Sequence, residues 1–208
     1  MFKLLFTIMC FILFLTPAAR GAEFTLTNDE GHSIWYEYTG YVELGDARKL
    51  REIMDNSGGK FVFIVINSGG GSAYGGVSLF WEAERWSNLV TMAGRDYGAW
   101  SAAAIFWLGS PYDFHQGEKA KVGFHAAYCD PWNPPGCDTR HFQRELIRVF
   151  DRCGWHGVLF NYYLNRLQEQ GGVSGWLVLK DDGWSYYHSI LKTTWEIPVD
   201  WIRKDYIT

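Results

Sequence analysis

Three short stretches of this chain carry the residue types needed to attack a carbonyl. The first is Asn67-Ser68-Gly69-Gly70-Gly71-Ser72, whose glycines let backbone N–H groups turn toward an anion. It lacks the lysine of a nucleotide P-loop, so phosphate is disfavoured, and alone it reads as a flexible turn. The second is Gly98-Ala99-Trp100-Ser101-Ala102-Ala103-Ala104. A serine at the start of a helix is most often a cap. Here small neighbours allow a sharp bend that holds the Ser101 hydroxyl toward a cleft with the Ala102 N–H beside it, as a nucleophile requires. The third is Val122-Gly123-Phe124-His125, an apolar strand ending on a histidine, which by itself is more often structural than basic. Together, Ser101, His125 and the N–H groups of Gly70 and Ala102 supply a nucleophile, a base and two donors for a developing oxyanion.

These residues act together only if one sheet gathers them, and ligands of an open α/β sheet bind beyond the carboxyl ends of its strands. Phe61 to Ile66 is a continuous apolar run between Gly58-Gly59 and Asn67-Ser68-Gly69, as expected of a strand buried on both faces of a parallel sheet. Asp46 to Ser57 places Ala47, Leu50, Ile53 and Met54 on one helical stripe, and Tyr74 to Trp86 does the same for Val77, Phe80 and Trp81. Leu89 to Ala93 reads as a second strand. A small-residue helix over Ser101 to Leu108 follows, then extended stretches at Tyr112 to Phe114 and Lys121 to Phe124. Two helices come next, one with Phe142, Leu146, Val149 and Phe150 on a face and one with Leu159, Tyr163 and Leu167. Trp176 to Leu179 reads as a last strand, and beyond Asp181 no period is clear. The alternation of strand and helix implies an α/β domain with crossover connections.

The order and spacing of the three motifs, from about Gly40 to Tyr128, resemble the ClpP/crotonase superfamily and within it the ClpP-like serine peptidase branch. Asn67 to Ser72 looks like the family's Asn-Ser-Pro-Gly-Gly motif, Ser101 like its nucleophile and Val122 to His125 like its histidine strand. The resemblance implies a ClpP/crotonase-like spiral of ββα units, with a parallel sheet and flanking helices. It also implies that Ser101 attacks, His125 moves the proton and the Gly70 and Ala102 N–H groups hold the oxyanion. Peptide or protein is then the substrate, no cofactor is called for, and the superfamily's rings and trimers suggest a homo-oligomer.

Gly69 departs from the pattern by standing where the family has proline, and Trp100 by filling a position that is normally small, where an indole narrows or shuts the cleft. The family's place for the third triad member falls near Gly175 and Trp176, neither of which is an acid. Asp181 is the nearest candidate, with Asp182 beside it. Lys119 and Lys121 are weaker candidates for the base than His125. His115, His141, His156 and His188 read as surface or structural residues.

At 208 residues and 48% hydrophobic the chain can build one core, which excludes a disordered or collagen-like protein. Its 19 Lys and Arg against 23 Asp and Glu give a formal charge of -4, which does not favour nucleic acid as a partner. Lys3, the apolar run Leu4 to Leu15 and the small residues to Gly21 read as a signal peptide over 1–21, leaving 22–208 as a single domain that is periplasmic or secreted, with no membrane span after cleavage. Met9 before Cys10 argues against a lipoprotein. In an oxidising compartment Cys129 and Cys137, at the ends of a turn-rich segment, are expected to form a disulfide and leave Cys153 over. A zinc site from these cysteines and His141 fits no standard ligand spacing, so no metal is expected. Export also weighs against acyl-CoA chemistry. The 11 tryptophans show no regular spacing that would mark a sugar-binding surface. The alternative to an exported serine hydrolase is a catalytically inactive ClpP-like binding or interaction module, suggested by Trp100 and the missing acid.

Overall fold

The computed structural model describes residues 21–116, 120–126, 139–155, 157–171, 175–180, 183–188 and 194–196. Residues 1–20 of the expected 1–21 signal peptide, the Cys129 and Cys137 pair, and Asp181 lie outside the described residues. Strands β1 (Glu23–Glu30) and β2 (Ser33–Thr39) form an antiparallel hairpin. Helix α1 (Asp46–Asp55) connects β2 to a parallel neighbour, β3 (Phe61–Asn67). Helix α2 (Ala73–Ala83) connects β3 to β4 (Leu89–Ala93), again parallel. The chain then leaves this sheet through β5 (Ala99–Trp100) and α3 (Ala102–Trp107), and returns as β6 (Tyr112–His115) beside β4.

Strand β7 (Val122–Phe124) lies parallel to β5. After α4 (Thr139–Arg152) and α5 (Gly157–Gly171), an antiparallel run of β8 (Gly175–Lys180), β9 (Gly183–His188) and β10 (Thr194–Glu196) extends the second sheet. The two sheets have the orders β1-β2-β3-β4-β6 and β10-β9-β8-β7-β5. They meet through a parallel bridge from Ser68 to Ala99, which brings the exit of β3 beside the strand that leads to Ser101. The architecture is therefore α/β with parallel strands and flanking helices, as the sequence implied.

Burial on β3 differs from expectation. Val62, Ile64 and Ile66 are wholly buried, whereas Phe63 and Val65 on the opposite face are only half-buried. The continuous apolar run has a different cause on each side: one face enters the core, and on the other Phe63 stacks flat on Trp35 at 4.2 Å. Helix α3 is buried from Ala102 to Trp107, as expected of a helix apolar all round. Its small residues let it lie close on α2, where a Cβ at Gly76 would come 2.5 Å from Ala102 O. Farther along, Phe124 packs in a ring cluster with Phe150, Trp155 and Phe160, with Phe150 and Phe160 centroids 4.2 Å apart. That cluster fixes the end of β7, one residue before His125.

A buried carboxylate ties the start of α1 to the segment behind the glycine loop. Asp46 is fully buried and accepts hydrogen bonds from Tyr38 Oη at 2.9 Å, Glu43 N at 2.8 Å and Lys49 Nζ at 2.8 Å. Burial and then the Asp46 charge push the Tyr38 phenol far above its ordinary pKa, so it stays a donor. The neighbouring Val42 pairs with the loop, its N–H donating to Gly70 O at 3.0 Å and its carbonyl accepting from Ser72 N at 2.8 Å. Asp46→Ala strands the Tyr38 hydroxyl and the Glu43 N–H, and is expected to cost about 2–4 kcal/mol in denaturant unfolding. A loss below about 0.5 kcal/mol would show that water replaces the carboxylate at no cost.

Candidate functional site

The segment after β3 folds as it does because glycine is required there. Gly70 has φ 97°, a conformation L side chains rarely adopt. A Cβ built on it would lie 2.5 Å from Ser101 Cβ, 2.7 Å from Trp100 O and 3.1 Å from Ala102 N. The loop therefore presses against the serine turn at a distance no other residue permits. Ser68, 1% exposed, pins the loop: its hydroxyl donates to Gly40 O at 2.7 Å and accepts from Gly70 N at 3.2 Å. Asn67 holds the approach to the serine, its Oδ1 accepting from Tyr97 N at 3.1 Å and Gly98 N at 3.4 Å while its Nδ2 donates to Glu37 Oε1 at 2.8 Å.

Ser101 sits between β5 and α3 with φ 56° and ψ -122°, the one described non-glycine residue with positive φ. Holding a side chain in such a region costs on the order of 1–3 kcal/mol, and such strain clusters at functional sites. The expected helix begins one residue later than Ser101 for this reason. Ser101 N donates to Gly123 O at 2.8 Å, so the serine is fastened to β7 while its side chain is thrown clear of a helical cap position, with no side-chain cap bond.

His125 follows β7 directly, and its Nε2 lies 2.7 Å from Ser101 Oγ. Its Nδ1 lies 2.7 Å from Ala126 O. A carbonyl can only accept, so Nδ1 carries the proton and a neutral ring leaves Nε2 bare to accept from the Ser101 hydroxyl. Burial pushes the imidazole pKa below its ordinary value, opposed by the Ala126 hydrogen bond. The pair can move a proton from alcohol to imidazole without rearrangement.

The indole of Trp100 does not project across the serine. It folds back over Gly123, where a Cβ would come 2.2 Å from its Cε3, and its Nε1 donates to Tyr97 O at 2.7 Å. The register of β7 with β8 pairs Phe124 with Leu177, which brings Trp176 alongside His125. Their ring centroids are 4.4 Å apart. From there β8 runs away from His125 toward Lys180, whose register partner on β9 is Gly183. Lys121 is exposed, and Lys119 lies outside the described residues. His141, also exposed, stacks on Tyr74 at 6.0 Å. Cys153 is a thiol whose Sγ lies 3.8 Å from Leu108 O. No three His, Cys, Asp or Glu side chains converge as metal ligands among the described residues.

The structure thus brings Ser101, His125, Gly70 and Ala102 into one place. The Ala126 carbonyl escaped sequence reasoning, because it is backbone and leaves no residue-type signal. The resemblance put the third triad position near Trp176, and the β7–β8 register sets that indole beside His125.

Parallel strands, flanking helices and a strained serine turn facing a glycine loop define a ClpP-like α/β fold. No protein-family model matches the chain, and no curated protein matches it in sequence. Among solved structures it is similar to a serine-to-alanine mutant of the membrane-bound stomatin-specific protease 1510-N. The TM-score is 0.51 over 71% of this chain and 72% of that one, at 10% identity. At that identity the likeness is one of fold. No helix among the described residues is long and apolar enough to cross a membrane.

Proposed function

We propose that this chain is an exported serine hydrolase of the ClpP-like peptidase branch that cleaves peptide bonds through an acyl-enzyme on Ser101. The observation that carries the proposal is the 2.7 Å contact between Ser101 Oγ and His125 Nε2, with the opposite ring nitrogen committed to Ala126 O. In the first half-reaction the hydroxyl proton passes to Nε2 and Oγ bonds to the substrate carbonyl carbon. The N–H groups of Gly70 and Ala102 receive the charge on the carbonyl oxygen. The imidazolium then protonates the leaving amine, and water repeats the sequence on the ester. Ala126 O orients the ring from the Nδ1 side.

A fluorophosphonate probe is expected to label Ser101 in the wild type, to leave Ser101→Ala unlabelled and to react slowly with His125→Gln. Because a protonated imidazole cannot accept the serine proton, the labelling rate rises with pH as His125 loses its charge. Burial lowers that pKa, so the midpoint lies below the ordinary histidine value of about 6.5. Undiminished labelling of Ser101→Ala would overturn the assignment.

A second reading, a non-catalytic binding module, draws on the Gly70 N–H, which donates to Ser68 Oγ at 3.2 Å instead of pointing to an open oxyanion site. Hydrolysis that requires both Ser101 and His125 excludes it.

A further inference from the structure

Two hydrogen bonds fix where the His125 nitrogens point, but the faces and carbon edges of the ring are held by packing. The Trp176 indole meets that ring at 65° with centroids 4.4 Å apart. Trp176 is itself met edge-on by Trp100, at 5.3 Å and 85°. Trp100 is anchored at its other end by the hydrogen bond from Nε1 to Tyr97 O, and its six-membered ring fills the space left by the absent Gly123 side chain. A continuous brace therefore runs from the Tyr97 carbonyl through two indoles to the imidazole, crossing three strands of the second sheet.

We propose that Trp176, backed by Trp100, is a positioning residue for His125 that keeps the imidazole plane in line with the Ser101 hydroxyl. Edge-to-face aromatic contacts have a preferred geometry worth about 0.5–1.5 kcal/mol beyond burial, enough to bias a side-chain torsion. The brace rests on the hydrolase reading, since a ring that moves no proton needs no such alignment. It also explains the wide residue at position 100. The indole that threatened to close the cleft instead lies against β7 and supports the base from behind.

The same contact covers one side of the ring. On the elements packed about His125, β5 and α3 carry no charged residue, and the described side chains of β8, Trp176, Leu177 and Val178, are uncharged. Ser101 is the hydroxyl facing it, and Lys121 on the approach to β7 is exposed. Removing the indole therefore admits solvent to an imidazole whose pKa is held down by burial, and its titration moves upward.

The test compares full-length wild type with Trp176→Ala, Trp176→Leu and Trp176→Phe. Probe-labelling rates are measured across pH, and His125 is titrated by NMR on ¹³C-histidine-labelled protein, its signal assigned by its loss in His125→Gln. Trp176→Phe keeps an aromatic edge and is expected to stay within about threefold of wild type, whereas Trp176→Ala loses about 10–100-fold in maximal labelling rate. In Trp176→Ala the acidic limb and the NMR midpoint of His125 move up together. If Trp176→Ala fails to fold, the loss in labelling rate is read from Trp176→Leu, which fills the space without a ring edge. A folded Ala or Leu variant with wild-type rate and wild-type His125 titration overturns the brace. A wild type that never labels at Ser101 overturns the hydrolase reading instead, and an unmoved His125 titration in the variants then overturns the brace as well.

Discussion

Ser101→Gly is expected to unfold at a higher temperature than Ser101→Ala, although both lose the hydroxyl and neither labels. Both variants forfeit the bond to His125 Nε2, so that loss cancels in the comparison. What differs is the backbone: φ 56° with ψ -122° clashes with a Cβ and is open to glycine. Glycine also gives more entropy to the unfolded chain, which opposes the gain by about 0.5–1 kcal/mol. A net advantage of about 1 kcal/mol corresponds to about 2–4 °C in Tm for a protein of this size. Glycine is also a better residue than alanine at ordinary helix starts, so Ser72 supplies the control. It caps α2 at φ -60° and accepts from Gly75 N at 3.2 Å. The glycine-over-alanine advantage at position 101 must exceed that at position 72. Equal advantages would mean that the serine turn stores no strain. Hydrolysis falls by about 10⁴-fold or more in both Ser101 variants, as expected when a nucleophile is removed from a group that acts as a unit.

The strain also explains what was legible in the sequence. Gly98, Ala99 and Ala102 around Ser101 announce a turn that ordinary helix caps do not need, and Gly69 to Gly71 after an apolar strand announce a close approach. Such signals are local, because steric demands at one residue restrict the types allowed beside it. The parallel strand at Phe61–Asn67 was equally plain, although its run suggested two buried faces where only one is fully covered. The β1–β2 hairpin was not legible. Trp35 on the outer face of β2 is as apolar as Ile34, Tyr36 and Tyr38 on the inner one, which blurs the alternation that marks a strand. The sequence after Gly175 shows a single strand signal, because beyond it aromatics and charges mix without period. Helix α2 stops at Ala83, short of the expected Trp86, where Glu82 becomes a terminus for Arg51, Arg85 and Trp86 Nε1. These partners come from α1 and from the following turn, and no periodicity within α2 foretells them. The indole beside His125 follows from register between distant segments, and the carbonyl that orients the ring belongs to the next residue, where a backbone acceptor leaves no residue-type signal.

Gly70→Ala is expected to be a severely damaging single-methyl change. The added carbon would sit 2.5 Å from Ser101 Cβ, 2.7 Å from Trp100 O and 3.1 Å from Ala102 N, two of them distances that real Cβ atoms essentially never show. None of the three can swing aside alone. Trp100 and Ser101 are bonded into the β5–β7 pairing, and Ala102 opens a helix buried along its whole length. The φ of 97° adds backbone strain. Overpacking and strain together are expected to cost about 2–4 kcal/mol of stability. Gly59 is the control, with φ 80° and nothing within 4 Å of an added Cβ, so Gly59→Ala feels the backbone term without the clash. Relief of the clash must push the loop and the serine turn apart. A displacement of about 1 Å between an oxyanion donor and its nucleophile is enough to lower the rate about 100-fold. Gly70→Ala should therefore lose activity well out of proportion to its unfolded fraction when assayed at a temperature where it remains folded. Gly59→Ala should lose none. A folded Gly70→Ala protein that labels at the wild-type rate would mean that the glycine loop takes no part in binding the oxyanion, and would leave Ser101 and His125 as a proton-transfer pair with a different partner for the developing charge.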